Sequence, residues 1–420
     1  MHRRTYWLSI WSILWTPVFA VGEPQPQGLP PEAGLPIITW KDAAKHIGEE
    51  VIVQGRIVIT RNTGTICFLN FDRARTFTAV VHERNFKKFP TPPQELYAHK
   101  LVRIHGKITT YQGRPQIEVA RPEQVTILDD ELPIPDPPKA RQREFDGLLT
   151  VASFNVLDLF DSYEDPYRGD DGSEVKPMKE LETLAATIRK LDADVVALQE
   201  VENRGYLERF VRAMLPDMGY EHVVHFEGND HRGIDVALLS RLPVGPVTSH
   251  RHLTFSDGSG ELMKFGRDLL RVRIEPEGFP TFEVFVVHFK SKRGGGGHTE
   301  RYRVGECEQT RKILREILEK DKNALFLICG DFNDTWDSKP MKILRGEGAT
   351  ALRDFLADVP EGTRSYNKMD APQIIDFILA SPAMGKLYVE KSYRIIDGTV
   401  ETIGSDHNPV VAQFRLRPRK

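Results

Sequence analysis

The stretch Ala324-Leu-Phe-Leu-Ile-Cys329 is an apolar run of buried-strand length, and it stops abruptly at Gly330-Asp331-Phe332-Asn333-Asp334. A strand that ends in this way carries ligand-type oxygens beyond the edge of a rigid sheet. The same grammar recurs along the chain. Thr150–Phe154 stops at Asn155, Val195–Gln199 at Glu200, and Phe282–Val287 at His288. Ile374-Ile375 leads into Asp376, and Gly404-Ser405-Asp406-His407-Asn408-Pro409 precedes Val410–Phe414. Any one of these is ordinary turn chemistry. Together they place six sets of oxygen or imidazole groups at strand ends. Carboxylates gathered without compensation repel one another, so a bound cation is the simplest account of the set.

Between these runs the pattern changes to helical. Met178, Leu181, Leu184, Ile188 and Leu191 form one stripe from Pro177 to Leu191. A second helix is expected over Thr299 to Lys320, with Ile313, Leu314, Ile317 and Leu318 inward. Helices alternating with about ten strands give an α/β or α+β unit over residues 147–420. The preceding part reads differently. Five short strands are expected at Val51–Ile59, Thr65–Leu69, Phe77–Val81, Leu101–Ile108 and Gln116–Ala120, with a turn at Tyr111–Pro115 and a short helix within Pro93–Lys100. This all-β unit, 37–128, resembles an OB-fold barrel, and Gly55 and Gly106 suit the bends of a small barrel.

Charge separates the two units. Between Ile37 and Leu128 there are 14 Lys/Arg against 8 Asp/Glu, while the whole 420-residue chain carries -3. A basic module beside an acidic, carboxylate-bearing one suits a polyanion binder tethered to a metal site, although a solvated surface would carry the same charge. Stacking candidates in the first unit are Phe68, Phe71, Phe77 and Tyr111, with Arg56, Arg61, Arg73, Arg75 and Arg114 beside them. Of the aromatics, Tyr111, at a turn, is the least suited to a core.

Residues 1–20 read as a secretory signal, with Arg3 and Arg4 before an apolar stretch and cleavage near Ala20. The expected location is therefore secreted or periplasmic, with an uncleaved anchor as the alternative. Residues 21–36 and 129–146 are Pro-rich linkers, and no later segment is long and apolar enough to cross a bilayer. Three cysteines, Cys67, Cys307 and Cys329, give no disulfide framework. Cys67 and Cys329 sit in apolar runs, and Cys307, in a helical pattern, could be exposed.

Ser153-Phe154-Asn155, Leu198-Gln199-Glu200-Val201, Val287-His288-Phe289, Gly330-Asp331-Phe332-Asn333, Ile375-Asp376-Phe377-Ile378 and Ser405-Asp406-His407-Asn408-Pro409-Val410 form an ordered series. It resembles the motif series of the endonuclease/exonuclease/phosphatase superfamily, over about Leu149 to Leu416. His288-Phe289-Lys290-Ser291-Lys292 followed by Gly294–Gly297 is similar to the bacterial extracellular nucleases of that superfamily. The resemblance implies a four-layer α/β/β/α sandwich of the DNase I kind and metal-dependent hydrolysis of a phosphoester. It departs from some relatives at Leu157, where they carry an acid. That puts a second metal ligand in doubt and makes Asp158 a neighbouring surface carboxylate.

Phosphoester hydrolysis needs a cation on the phosphoryl oxygens, a base for water, and donors for developing charge. Glu200 is the first metal ligand, with Asn155, Asp331 and Asp406 completing or bordering the site and Asn333 beside it. Mg²⁺ is the expected ion, with Mn²⁺ or Ca²⁺ as alternatives. His407 is the general base and Asp376 resembles the carboxylate that orients it. His288 resembles the second catalytic histidine of the DNase I type. Lys290, Lys292, Arg232 and Tyr111 are substrate-binding candidates. The expected function is a secreted, monomeric nuclease acting on DNA or RNA, without permanent membrane insertion. The alternative is a phospholipid or inositol-phosphate phosphodiesterase on the same fold.

Overall fold

Phe326–Asp331 is buried at every position, so this strand needs an apolar layer against each face. Period-two alternation sends Leu327 and Cys329 into one core and Phe326 and Ile328 into another. The strand Val195–Val201 divides in the same way, with Val195 and Ala197 inward and Val196 and Leu198 outward. The shared inner core lies between two sheets, and each outer core lies under helices. The result is helix, sheet, sheet, helix.

In this computed structural model the described residues are 35–72, 74–128, 144–161, 167–169, 175–256, 259–293, 295–369 and 371–419. The expected export signal lies outside them, as do nearly all of the first linker and most of the second.

One sheet has six strands in the order His222–His225, Asp235–Ser240, Val195–Val201, Leu148–Leu159, Val410–Arg415 and Arg394–Ile395. The facing sheet has five, in the order Val244–Ser249, Leu270–Ile274, Phe282–His288, Phe326–Asp331 and Asp376–Ala380. The strands that carry Asn155, Glu200, His288 and Asp331 are therefore central or next to central, and Asp376 begins the edge strand beside Asp331. The first sheet is covered by Met178–Leu191, through Leu181, Leu184, Ile188 and Leu191, and by Arg204–Met214. Asn203 caps the latter helix by accepting the Tyr206 backbone N–H. The helix Gly296–Lys320 covers the second sheet and begins three residues before the expected start. Cys307 on that helix is buried, contrary to the exposed position allowed for it, because it joins the core with Phe285 and Phe326. All three cysteines are free.

The N-terminal sheet has its own core, including Val51, Val53, Leu69, Phe71, Phe77, Val81, Ile104 and Ile117. Its strands run in the order Ile37–Thr39, Glu50–Arg56, Leu101–Tyr111, Arg114–Glu118, Thr78–His82, Ile66–Asn70 and Ile59–Asn62, with Val125–Ile127 also paired to Leu101–Tyr111. The single expected strand Val51–Ile59 is thus two strands. The helix expected within Pro93–Lys100 shrinks to Pro93–Leu96. Gly55 is needed for packing rather than for a turn, since a Cβ there would come within 2.4 Å of the Trp40 ring.

Candidate active site

The ends of the central strands bring the predicted residues into one pocket, and local backbone irregularity aims them. Glu200 is the extra residue of a β-bulge. Against Asp235–Ser240 the register skips it between Gln199 and Val201, and against Leu148–Leu159 it stands opposite the unpaired Val156, Leu157 and Asp158; its φ is 65°. Leu157, Asp158 and Asn333 also have positive φ, between 51° and 53°. Non-glycine residues in the left-handed region cost about 1 kcal/mol or more each, and their concentration at one pocket marks a site where geometry overrides local preference. Gly330 permits a close approach of a second kind. A Cβ there would lie 2.0 Å from the carbonyl oxygen of Val287, on the neighbouring strand that ends at His288.

Asn155 links the two sheets across the pocket. Its Nδ2 donates to Glu200 Oε1 at 3.1 Å and to Asp331 Oδ2 at 3.3 Å. His288 Nε2 stands 3.4 Å from Asp331 Oδ2 and 3.9 Å from Glu200 Oε1. His407 Nε2 is 3.8 Å from the same Asp331 oxygen, and its Nδ1 is 2.9 Å from Asp376 Oδ2. Asp376 is held in turn by Ser365, whose Oγ donates to it at 2.7 Å while accepting the backbone N–H groups of Ile375 and Asp376. Ser405 ties the His407 loop to the Asn155 strand by donating to the Asn155 carbonyl at 2.7 Å.

The electrostatics distinguish the two histidines. Burial, and then the nearby Arg267 guanidinium, hold His288 well below the usual histidine range, so it is neutral at pH 7. Burial also works against charge on His407. Asp376 and Asp331 override it and push His407 up to about 10. Burial and the neighbouring Asp376 charge push Asp331 up to about 7, and burial and Glu200 push Asp158 up to about 7.

These residues fit a hard divalent cation. Asp331, Asp376 and His407 bring ligand atoms within 4.8 Å of one another. Asp158 Oδ1 and Asp406 Oδ1 are buried without a hydrogen-bond partner among the described residues. Carboxylates held out of water, crowded by like charge and left with open lone pairs are the donor set such an ion requires.

The remaining predicted residues divide. Asp406 lies at the margin, its Oδ2 paired with Lys368 at 2.6 Å. Asn333 uses its Nδ2 on the Phe289 carbonyl and on Asp331 Oδ2, so it positions Asp331. Arg232 reaches the pocket edge, 3.5 Å from Asp158 Oδ2. Lys292 is paired with Asp334 at 2.8 Å. Lys290 is half-buried, and its backbone N–H donates to Glu306. Tyr111 is not in this pocket. It lines a separate groove on the N-terminal sheet with Arg61, Phe68, Arg75 and Arg114. Phe71 and Phe77 are buried in that unit's core and cannot stack on a ligand.

One expected position is corrected here, and three residues of the site carry no sequence signal. Asp158 is a half-buried pocket residue, not a surface neighbour, and its backbone N–H donates to Glu200 Oε2 at 3.1 Å. Arg267, Ser365 and Lys368 carried no sequence signal of their own. Arg267 is buried behind His288, donating towards the Phe289 carbonyl and paired with Asp230 at 3.2 Å.

Residues 150–403 match the family model described as Endonuclease/Exonuclease/phosphatase family. No curated protein matches the chain. Among solved structures, the human Nocturnin catalytic domain is similar at 19% identity and a TM-score of 0.47, covering 66% of this chain and 97% of that one. An endonuclease/exonuclease/phosphatase from Bacteroides vulgatus is similar at 17% identity and a TM-score of 0.46, covering 64% and 99%. Truncated Caenorhabditis elegans TDP2 is similar at 15% identity and a TM-score of 0.44, covering 64% and 97%.

Proposed function

Since this chain belongs to the endonuclease/exonuclease/phosphatase family, whose members are phosphoester hydrolases, we propose that it is a divalent-metal-dependent nuclease. The observation that carries this reading is the continuous polar chain Ser365, Asp376, His407, Asp331, Asn155, Glu200, assembled from strand ends of both sheets.

Glu200 and Asp331 would hold the cation, with Asn155 fixing their separation. Mg²⁺ or Mn²⁺ bound there would neutralise the phosphoryl oxygens of the substrate. Asp376 accepts the Nδ1 hydrogen of His407, which leaves Nε2 as the atom that takes a proton from attacking water. Neutral His288 faces the same space from the opposite strand and can donate a hydrogen bond to a phosphoryl oxygen without competing for a cation. Arg232, at the rim, is placed to meet a flanking phosphate.

The N-terminal unit supports the choice of nucleic acid as substrate. We read it as an OB-type barrel. Ile57-Val58 alone separate Glu50–Arg56, second in the strand path, from Ile59–Asn62 at its far end, which supports a sheet curled towards closure. Its groove, of about 610 Å³, carries Arg61, Arg75 and Arg114 with the rings of Phe68 and Tyr111, and no carboxylate is among its lining residues. Arginines for phosphates and exposed rings for bases are the requirements of single-strand binding. Export, on the strength of residues 1–20, belongs to the same proposal.

The test is a substrate panel of single- and double-stranded DNA, RNA, sphingomyelin liposomes and an inositol phosphate, each with Mg²⁺, Mn²⁺ or EDTA. The expected result is nucleic-acid cleavage that requires the ion and is lost in Glu200→Gln. Hydrolysis of liposomes or inositol phosphate with intact nucleic acid would replace this reading by the lipid one.

A further inference from the structure

A second group of ligand-type side chains stands at the same end of the six-stranded sheet as Glu200 but on its two outer strands, where Asp235 pairs in register with Val201. His225 ends one strand, Asp235 begins the next, and Glu227 lies in the connection between them. Their ligand atoms lie within 4.8 Å of one another. The His225 side chain is 2% exposed and that of Asp235 is 0% exposed. His225 Nε2 and Asp235 Oδ2 face each other and have no hydrogen-bond partner among the described residues. Two buried polar atoms left open towards the same point need an explanation.

Their separation supplies one. At 3.6 Å, Nε2 and Oδ2 are too far apart for a hydrogen bond. The spacing is close to the roughly 3.4 Å between neighbouring ligands of a tetrahedral ion bound at about 2.1 Å. The rest of the site is built around that arrangement. Asp235 Oδ1 accepts the Gly228 N–H at 2.7 Å, which fixes the carboxylate with Oδ2 pointing away. A Cβ on Gly228 would stand 2.4 Å from that Oδ1, so the backbone approach needs glycine. The Val201 and Glu202 carbonyls act on the imidazole from the side of the six-stranded sheet, and with Nε2 open the ring hydrogen belongs on Nδ1. Arg168 offsets one of the two acids by pairing with Glu227 at 3.0 Å.

We infer that His225, Glu227 and Asp235 form a second divalent-cation site, suited to a first-row transition ion such as Zn²⁺ or Mn²⁺, with water completing the shell. One imidazole and two carboxylates are a donor set for such ions rather than for Mg²⁺. The ion would clamp the segment Phe226–Ile234 to the end of its sheet. That segment carries Asp230, which pairs with Arg267 behind His288, and Arg232, which pairs with Asp158. Occupancy would therefore position two arginines of the phosphoesterase pocket. The site shares no ligand with that pocket and stands whether or not the substrate is nucleic acid.

The experiment uses the full chain carrying Glu200→Gln and Asp331→Asn, which disables the catalytic cluster. The protein is stripped with EDTA, dialysed against Zn²⁺, Mn²⁺ or Mg²⁺ and passed through a desalting column. Elemental analysis should find one Zn²⁺ or Mn²⁺ per chain and no Mg²⁺, with Tm raised by about 2–4 °C. Adding Asp235→Asn should remove the ion and the Tm shift while circular dichroism stays native, an affinity loss of about 100-fold or more. Glu227→Gln, at a partly exposed position, makes the same comparison if the buried variant does not fold. No retained ion in the background chain, as expected if His225 and Asp235 merely share a proton, would overturn the inference. So would an ion retained undiminished in both variants.

Discussion

At the scale of single residues, the pocket works by giving similar groups different tasks. Both histidines are buried, yet Asp376 stands against His407 and Arg267 stands near His288, so in the metal-free chain one ring is held charged and the other neutral, and a cation held by Asp331 would oppose the charge on His407 and leave its Nε2 able to accept a proton. In the metal-free chain, the raised pKa of His407 contributes stability that is complete below the ordinary value of 6.5 and lost as pH rises through about 10. Asp331→Asn removes one of the two carboxylates responsible. The His407 titration, followed by NMR in EDTA, should shift to lower pH in that variant, and an unmoved midpoint would contradict the assigned cause. In the loaded enzyme, His407→Ala should lower kcat by about 10²- to 10⁴-fold, the range for a general base. Asp376→Asn should also lower kcat with little change in KM, because it disturbs the tautomer and not the binding of substrate. The types of these residues were legible in the sequence, since acid, amide and imidazole groups follow apolar runs. Their partners were not. Ser365 holds Asp376 from a loop, and Arg267 lies in no distinctive pattern, so each acquires meaning only through contacts made by folding.

At the scale of elements, the strand ends do what the runs indicated, but through irregularities that no run reveals. Glu200 faces the pocket because its strand bulges at that residue against Asp235–Ser240, while Leu148–Leu159 bulges opposite it at Val156–Asp158. Hydrophobic alternation predicts which face a residue takes in a regular strand and is silent about where an extra residue resets the count. The same limit explains the misreading of Asp158, whose positive φ turns it into the pocket beside Glu200. Gly330 is the element-scale counterpart. Gly330→Ala forces a Cβ against the Val287 carbonyl and should destabilise the chain by about 2–4 kcal/mol, measured by denaturant unfolding. It should also lower activity in the fraction that remains folded, because His288 follows Val287. A variant with wild-type stability would show that the two strands can separate without loss. The helices were the easier elements. Met178–Leu191 matches its expected span within a residue because an amphipathic stripe is a local signal repeated several times.

At the scale of the whole molecule, the acidic sandwich and the basic N-terminal sheet propose a division of labour between cutting and holding. Tyr111 and Arg61 are exposed in a groove apart from the catalytic pocket, so their loss should weaken binding and leave chemistry intact. Arg61→Ala should flatten the dependence of log Kobs on log salt for a single-stranded oligonucleotide by about 0.7 if it meets one phosphate. Hydrolysis of a small phosphodiester by the same variant should be unchanged, and a parallel loss of both would show that the groove is not a separate binding surface. Sequence alone determined the alternation of helices and strands in the larger unit, the order of the strand-end motifs and the chemical types at the site, because strand and helix periods and turn residues act over a few neighbours. Only the tertiary structure decided that Asn155 would bridge Glu200 and Asp331 and that one histidine would meet a carboxylate and the other a guanidinium. It also brought His225 against Asp235. Those outcomes depend on strand order, register and one bulge, which are set by packing between residues far apart in the chain.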